Sequence, residues 1–507
     1  MAEIFVAALT LSACSAPTAQ LSVHLVTQAC SAPQPFANVT HVRVLVTGDS
    51  MKTVVQTTTV NQHALAVTGI VPGKNRRLEV RGYIKDPAEG GRVFSVGRSQ
   101  PFDVSGTATA KGAFVVEVPA VIMRPVNVFV KPTRTSSLGT CTGMGVARAG
   151  LSASSLGDGR VFIAGGFSTD ATGLRTMLAS TELFDPLTGA FTPGPDLPGP
   201  TGARAFHTAS ALPENRVFLA GGEQDSPDGG FTALGSAFVF HVDAGTYDAV
   251  ALSSARTQHG AGQVDGGNTL LVGGLSASGA RVDKLEWFQP ESGLTRVLGQ
   301  RLGVTGMAVQ GFADSSGVVV AGGSDGTNTL NAAYFFPFSG GTFGQSSSLT
   351  LTSARRNGAL VAFQDGSHLV LAGGFTPSSN ESGVDGLGST EILNHKGGTL
   401  GREEGPAVGP RGDVCAVVLA DFQALVAGGL SVNFGAPLSD ASAELLTTAK
   451  TGGPISLGMP ALQRPRHAHA CAALPDGSAL IVGGLDDSSG IASALSDALI
   501  FMPSPRD

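Results

Sequence analysis

Charged residues, tyrosine and tryptophan are scarce in this sequence of 507 residues. Only 14% of the residues are charged, and the formal net charge is −7, with three tyrosines and one tryptophan. No cluster of lysine and arginine interrupts the acidic balance, so a basic nucleic-acid-binding surface is not expected. Beyond the N-terminus no apolar run approaches the roughly 20 residues of a membrane-spanning helix. Any membrane attachment must therefore come from the N-terminal end.

Long stretches of apolar residues at helical spacing are also hard to find. Instead, 70 glycines and 28 prolines separate short apolar runs, a pattern typical of turn-rich β architecture. We therefore predict an all-β protein. Its length predicts at least two domains.

The N-terminal end carries a possible export signal. Residues 4–11 are apolar apart from Thr10, and Leu11-Ser12-Ala13-Cys14 follows. This resembles the bacterial lipobox, in which the cysteine receives the lipid anchor. The resemblance implies a signal and tether over residues 1–20, lipidation of Cys14, membrane attachment through that lipid, and a location in the bacterial cell envelope, as an outer-membrane lipoprotein or exported protein. Ala2 and Glu3 stand where a leader needs basic residues, so a buried first strand with an incidental cysteine is the alternative.

Four cysteines remain once Cys14 is set aside, and none of them forms a C-x-x-C pair. A thiolate zinc site or a thioredoxin-like motif is therefore not indicated. Cys30 and Cys141 flank the first domain in loop-like contexts, and we predict a disulfide between them. Cys415 and Cys471 lie in apolar strands, where they could be small buried hydrophobes or a second disulfide.

A strand ending in Gly-Gly recurs seven times at intervals of about 50 residues, the period typical of a propeller blade. The seven pairs are Gly165-Gly166, Gly221-Gly222, Gly273-Gly274, Gly322-Gly323, Gly373-Gly374, Gly428-Gly429 and Gly483-Gly484.

Each unit has the same internal order. An arginine opens the first strand in six units, and Leu302 takes that place in the fourth; the arginines are Arg148, Arg204, Arg256, Arg355, Arg411 and Arg466. Turns such as Asp365-Gly366 then join the first strand to the second, as a hairpin requires. A third strand, clearest at residues 182–186, and a fourth strand with a large apolar residue complete the unit.

These features resemble the kelch repeat over residues 140–505, which implies a seven-bladed β-propeller. The chain departs from the repeat because its single tryptophan, Trp287, lies on a third strand rather than a fourth. The seventh unit has no room for a fourth strand before the chain ends. We expect residues 137–147 to supply that strand and close the ring.

Residues 21–130 contain no Gly-Gly unit and show alternating strands, for example at residues 41–46 and 78–84. The alternation predicts a small β-sandwich of immunoglobulin or fibronectin type. Residues 131–139 read as a linker, and residues 140–507 as the propeller.

Two catalytic types of propeller require residues that are scarce in this chain. A galactose-oxidase-like copper site needs a tyrosine cross-linked to cysteine, a second tyrosine and two histidines, and the three tyrosines here do not favour it. The sialidase-like Asp-box turns need repeated tryptophans, which the chain lacks.

Other site candidates have simpler interpretations. His207, His259, His467 and His469 follow strand-opening arginines, where kelch units often use histidine for hydrogen bonds between blades; metal ligation by His467 and His469 is the alternative. Acidic turns near Asp225 and Asp486 are read as solvated loops rather than calcium sites. We assign no catalytic, cofactor-binding or metal-binding residue and no cofactor.

The sequence thus favours a surface-tethered, non-enzymatic binding protein that recognises a protein or glycan through its variable loops. An extracellular carbohydrate-active or metal-dependent enzyme is the alternative. A structural envelope component without a discrete ligand is a third possibility.

Overall fold

A computed structural model describes residues 18–506 except 24, 28–29, 31–32, 61–66, 68, 106–112, 119–120, 135–139, 227–229, 364, 379–382, 397, 434–435 and 448–453. Cys14 and the predicted signal lie outside the described residues. Almost all regular structure in the described part is β-strand, with two short 3-10 helices at Pro87–Glu89 and Asp265–Gly267. No helix there is long and apolar enough to cross a bilayer. The all-β prediction is confirmed.

The N-terminal region contains one mixed sheet and a separate two-stranded sheet. Its strands are β1 (Thr18–Ser22), β2 (Leu25–Thr27), β3 (His41–Thr47), β4 (Val54–Thr59), β5 (Gly73–Tyr83), β6 (Val93–Arg98), β7 (Phe102–Val104), β8 (Ala113–Glu117) and β9 (Val121–Pro125). The sheet order is β2-β9-β6-β5-β3-β4, with β7 paired to β5 and a separate parallel pair β1-β8. The alternating valines of β3 lie in its core. The β-sandwich of immunoglobulin or fibronectin type stays a prediction.

Seven blade sheets follow in the described part of the chain, six of four strands and one of five, and the seven-bladed β-propeller is confirmed. Strand β10 (Phe129–Val130) precedes the first blade. Blade 1 contains β11 (Ser152–Ser155), β12 (Val161–Ala164), β13 (Phe167–Thr169), β14 (Arg175–Met177), β15 (Thr181–Asp185) and β16 (Ala190–Gly194). Blade 2 contains β17 (Thr208–Leu212), β18 (Arg216–Ala220), β19 (Glu223–Asp225), β20 (Phe231–Ala233), β21 (Ser236–His241) and β22 (Thr246–Ala251). Blade 3 contains β23 (Gly260–Gln263), β24 (Thr269–Val272), β25 (Lys284–Gln289) and β26 (Leu294–Arg301).

The remaining blades repeat this order. Blade 4 contains β27 (Ala308–Gly311), β28 (Gly317–Ala321), β29 (Ala332–Ser339), β30 (Thr342–Phe343) and β31 (Ser347–Thr350). Blade 5 contains β32 (Ala359–Ala362), β33 (His368–Ala372), β34 (Phe375–Pro377), β35 (Val384–Gly386), β36 (Thr390–Lys396) and β37 (Thr399–Glu404). Blade 6 contains β38 (Cys415–Leu419), β39 (Gln423–Ala427), β40 (Leu430–Asn433), β41 (Ala436–Ser439), β42 (Ala443–Thr447) and β43 (Ile455–Met459). Blade 7 contains β44 (Ala470–Ala473), β45 (Ala479–Val482), β46 (Leu485–Asp486), β47 (Ser493–Ala494) and β48 (Ala498–Phe501).

The Gly-Gly pairs lie where neighbouring blades meet. The N–H of the second glycine donates to the carbonyl of the strand-opening residue in the next blade, as Gly166 does to Arg204. The first glycine adopts a positive φ, and a Cβ on Gly221 would lie 2.5 Å from the Arg256 carbonyl oxygen. Any larger residue would therefore push adjacent blades apart.

The same hydrogen bond identifies the strand-opening residue of blade 4. Gly274 donates to the carbonyl of Val304, and not to that of Leu302. The expectation that Leu302 replaces the arginine is therefore wrong by two residues. Without an arginine to mark the position, the apolar segment around Leu302 offered no signal of register.

Blade 7 is completed by β10. Phe129 pairs with Phe501 and Val130 with Ile500, and Val126 forms a bridge with Met502. The closing strand therefore lies before residue 131, and the expectation of a strand within residues 137–147 is wrong. A two-residue strand carries too little periodicity to be recognised in the sequence.

Two arginines of the N-terminal region contact the turns that join the first and second strands of blades 6 and 7. Arg98 lies 2.9 Å from Asp421, and buried Arg124 lies 3.0 Å from Asp476. Although burial favours the neutral carboxyl, the charge of Arg124 holds the pKa of Asp476 below its ordinary value. Nearby, the sulfur atoms of Cys30 and Cys141 are bonded, with their Cα atoms 5.1 Å apart.

Candidate functional site

A cavity of about 580 Å³ opens at the centre of the ring on the side of the Gly-Gly pairs. We call this cavity the mouth. Each blade contributes the second and third residues after its strand-opening position. The second-position residues are Gly150, Phe206, Gln258, Gly306, Asn357, Asp413 and Ala468, and the third-position residues are Leu151, His207, His259, Met307, Gly358, Val414 and His469.

All seven second-position residues have a left-handed backbone, with φ between 48° and 63°. The preceding residue bridges to the segment after the Gly-Gly of its own blade, as Ala205 does with Glu223. The left-handed conformation then places the second-position side chain at the mouth. For Phe206, Gln258 and Ala468 this conformation costs about 1–2 kcal/mol each, which the surrounding structure must offset.

The strand-opening arginines hold these turns in place. Each of the six is almost fully buried and donates to the carbonyl of the first glycine in its blade, as Arg148 does to Gly165 at 2.9 Å. Four of them also contact a buried glutamate on the third strand, including Arg148 with Glu182 at 2.8 Å and Arg256 with Glu286 at 3.1 Å. Glu182, the first residue of the third strand predicted at residues 182–186, is therefore structural.

Peptide hydrogen bonds also link neighbouring second-position residues across the blades. Gly150 donates to the Ala468 carbonyl at 2.8 Å and Phe206 to Gly150 at 2.9 Å. On the other side, Asn357 donates to Gly306 at 2.6 Å and Asp413 to Asn357 at 2.8 Å. The backbone of the mouth is thus fixed, whereas its side chains differ from blade to blade.

Polar side chains lie together on one side of the mouth. The Asn357 side-chain amide donates to Asp413 Oδ1 at 2.7 Å. Burial raises the pKa of the Asp413 carboxyl, although this hydrogen bond and the charge of His467 oppose the change. Asp413 is the only carboxylate, and Arg175 the only lysine or arginine, among the described residues that line the cavity. Arg175 lies 4.3 Å from the centre of the Phe167 ring.

The histidines lie in the seams between blades. His207 Nε2 is 2.8 Å from Ser152 Oγ of blade 1, and His259 Nε2 is 3.0 Å from Thr208 Oγ1 of blade 2. Burial lowers the pKa of His207 to about 3 and lowers that of His259 well below its ordinary value. These neutral rings therefore connect adjacent blades, which is the structural interpretation favoured from the sequence.

His467 and His469 point to different partners. His467 Nδ1 is 2.9 Å from Ser439 Oγ, whereas His469 Nε2 is 3.2 Å from the Ala427 carbonyl oxygen. Asp486 is held 2.9 Å from Arg464, which accounts for that carboxylate without calcium. The acidic turn after Asp225 includes residues 227–229, which lie outside the described residues.

Hairpins from the variable loops surround the mouth. They occur after the Gly-Gly in blades 1, 2, 5, 6 and 7, as β13-β14, β19-β20, β34-β35, β40-β41 and β46-β47. The corresponding loops of blades 3 and 4 are shorter and carry one bridge each, Leu275 with Arg281 and Ser324 with Thr329. The loops were predicted to carry recognition, but the second-position ring was missed. The sequence did contain a sign of this ring, because each of its residues lies two positions after a strand-opening residue. Two of them, Asn357 and Asp413, are also residue types that tolerate positive φ.

No protein-family model matches this sequence, and none of the curated proteins matches it significantly. Solved structures do resemble it. A fungal alcohol oxidase of the AA5 family, in complex with copper, is 16% identical, with a TM-score of 0.53 over 71% of this chain and 75% of that chain. The structure of YjhT is 13% identical, with a TM-score of 0.47 over 62% of this chain and 99% of that chain. At these identities the likeness concerns the fold alone.

Proposed function

We propose that this chain is a non-enzymatic binding protein with a kelch-type propeller, and that it takes a glycan at the mouth. The observation that carries this proposal is the second-position ring. Its backbone is the same in all seven blades, but its side chains are not. Such a ring is a fixed frame on which different side chains give specificity.

The chemistry of the lining favours a glycan over a flat protein surface. A concave cavity of this size suits a small ligand. The amides of Gln258 and Asn357 offer donors and acceptors to hydroxyl groups, and the Phe206 ring offers an apolar surface to the C–H face of a sugar. A single cation and a single carboxylate among the described lining residues favour a neutral sugar.

The kelch type is supported by the seven Gly-Gly pairs, by the buried arginines of six blades, and by the third-strand glutamates that four of these arginines contact. A location in the cell envelope is supported by the Leu11–Cys14 motif and by the contact of Cys30 with Cys141, since disulfides persist in exported proteins. Detection of a lipid on Cys14 by mass spectrometry of the native protein would test the anchor.

The raised pKa of Asp413 favours an enzyme as the second candidate. A carboxyl with a raised pKa keeps its proton to a higher pH than an ordinary one and can act as a general acid. Glycosidases usually need two carboxylates about 5–10 Å apart, however, and Asp413 is the only one among the described lining residues. This shortage makes binding without turnover the better-supported function.

The copper of the fungal oxidase does not carry over to this chain. A tyrosine-ligated copper centre needs tyrosines at the site, and no described lining residue is a tyrosine. The Tyr247 hydroxyl donates to the Pro195 carbonyl at 2.8 Å, Tyr334 packs in the core around Val304, and Tyr83 belongs to the N-terminal region.

Glycan-array binding followed by calorimetry tests the proposal. We expect Gln258→Ala to weaken binding of a captured neutral glycan by about tenfold, as one lost hydrogen-bonding group would. Ala468 already adopts the same backbone conformation with a methyl side chain, so the variant should fold. Thr246→Ala, an exposed change on β22, is the matched control.

Two results would contradict the proposal of non-enzymatic glycan binding at the mouth. Equal affinity in the Gln258 and Thr246 variants would place the glycan elsewhere. Turnover of a captured glycan, lost in Asp413→Asn while binding is kept, would establish the enzyme instead.

A further inference from the structure

The seams between adjacent innermost strands can be compared with one another. In each seam, the first residue of the innermost strand of one blade meets two residues of the next blade. These two residues are two positions apart, so their side chains point to the same face of the strand. Between blades 1 and 2 these residues are Ser152, His207 and Ala209, and between blades 2 and 3 they are Thr208, His259 and Ala261. In both seams a hydroxyl contacts the histidine.

The seam between blades 6 and 7, which we call the 6–7 seam, departs from this pattern. Cys415 stands in the place of Ser152, and Cys471 in the place of Ala209, on either side of His469. The two sulfurs are bonded, with Cα atoms 6.1 Å apart. Ligand atoms of Cys415, His469 and Cys471 all lie within 4.8 Å of one another. All three residues are partly exposed, so the interpretation of these cysteines as buried hydrophobes is wrong.

The hydrogen bonding of His469 leaves one ring nitrogen free for a ligand. Because a carbonyl oxygen only accepts, the 3.2 Å contact with Ala427 requires the proton on Nε2. Nδ1 then carries a lone pair, and it is buried without a hydrogen-bond partner. A backbone carbonyl that fixes the tautomer in this way is the usual outer partner of a metal-bound histidine.

We propose that the 6–7 seam is a redox-controlled binding site for a thiophilic d¹⁰ cation, with Cys415, Cys471 and His469 as ligands. In the oxidised protein the disulfide occupies the thiols. A dithiol reductant converts it to two thiols and itself becomes a disulfide. A divalent zinc ion then displaces two protons and binds two thiolates and the imidazole.

The three residues are partly exposed, so solvent could supply a fourth zinc ligand. Two thiolates and one imidazole with an open position form a ligand set that zinc accepts. His469 also lines the mouth, but the zinc proposal does not rest on glycan binding there.

Cobalt substitution of the reduced full chain tests the site. In a Cys30→Ser/Cys141→Ser background, only the 6–7 seam offers a cysteine pair. After reduction under native conditions, we expect one Co²⁺ per chain with thiolate-to-cobalt absorption, and its displacement by zinc. Cys415→Ser/Cys471→Ala should abolish the absorption. This double variant restores residue types that the seam between blades 1 and 2 already holds, so it should fold.

His469→Gln should weaken cobalt binding and change the ligand-field spectrum, whereas His207→Gln, at the same register in a seam without thiols, should change neither. A Cys415–Cys471 disulfide that resists reduction in the folded chain would overturn the proposal. So would absorption that persists in the double cysteine variant, or a spectrum and stoichiometry unchanged in His469→Gln.

Discussion

Blade 4 lacks both the buried arginine and the third-strand carboxylate that lie together in blade 3. Arg256 and Glu286 are both fully buried and lie 3.1 Å apart. In blade 4, Val304 takes the place of the arginine. Tyr334 takes the place of the glutamate, because it pairs with Val320 as Glu286 pairs with Leu271 in blade 3. Val304 and Tyr334 pack in one apolar cluster. A buried carboxylate without its cation is costly, which explains why blade 4 has no third-strand carboxylate where the arginine is missing.

A double-mutant cycle in blade 3 tests this account. We expect Arg256→Val to lower the free energy of unfolding by about 3–5 kcal/mol, because it leaves the Glu286 carboxylate buried without its cation. Adding Glu286→Tyr copies the pair of blade 4 and should restore most of that loss. The fluorescence of Trp287, the only tryptophan, reports unfolding of the same blade in denaturant.

The exposed pair Arg301 and Asp283, 3.0 Å apart, provides the control. Asp283→Ala should cost less than about 1 kcal/mol. A double variant in blade 3 that is no more stable than Arg256→Val alone would show that the two positions are not coupled in this way.

At the scale of the elements, the Gly-Gly strand ending combines a backbone requirement with a steric one. Gly221 has φ of 59°, and a Cβ there would also lie 2.9 Å from His259 Cε1 of the next blade. Gly245, in a turn of the same blade, has φ of 65° but no atom near its missing Cβ. The two glycines therefore separate conformational strain from the packing of blade against blade.

Alanine at each position measures the two contributions. Gly245→Ala should cost about 1 kcal/mol, the usual cost of the left-handed conformation. Gly221→Ala should cost about 1–3 kcal/mol more, because the blades must move apart. Denaturant unfolding measures the free energy of unfolding of both variants. Equal decreases would mean that the blades move apart at Gly221 without an energetic cost.

These elements also show what the sequence could predict. The blade count followed from the Gly-Gly pairs and arginines, because tight contacts between blades permit few residue types there. The residues that line the mouth could not be predicted in the same way, because Phe206, Gln258 and Ala468 are not residue types that favour positive φ. Their conformation is imposed by the buried arginines and by hydrogen bonds to neighbouring blades. The pairing of Cys415 with Cys471 depends likewise on the register of two blades.

At the scale of the whole molecule, the ring is closed by a segment shared with the N-terminal region. Phe129 packs in the core between blades 6 and 7, and Val130 packs in the core between blades 7 and 1. The Asn127 N–H donates to the Met502 carbonyl at 2.8 Å, and Asn127 Oδ1 accepts from Ser504 N–H at 2.9 Å. Without this segment, β48 would be an unpaired apolar edge, which favours aggregation.

Two truncated chains isolate the effect of this strand. Both lack β1–β9 and leave Cys141 without Cys30, but a chain of residues 126–507 keeps β10 and a chain of residues 131–507 does not. We expect the longer chain to be monomeric by light scattering and to unfold cooperatively on heating. The shorter chain should form larger species and melt at a lower temperature, because its seventh blade has only three strands. If both chains are monomeric with the same melting temperature, β10 does not close the ring. If both aggregate while the full chain does not, the contacts of Arg98 and Arg124 are what the propeller requires.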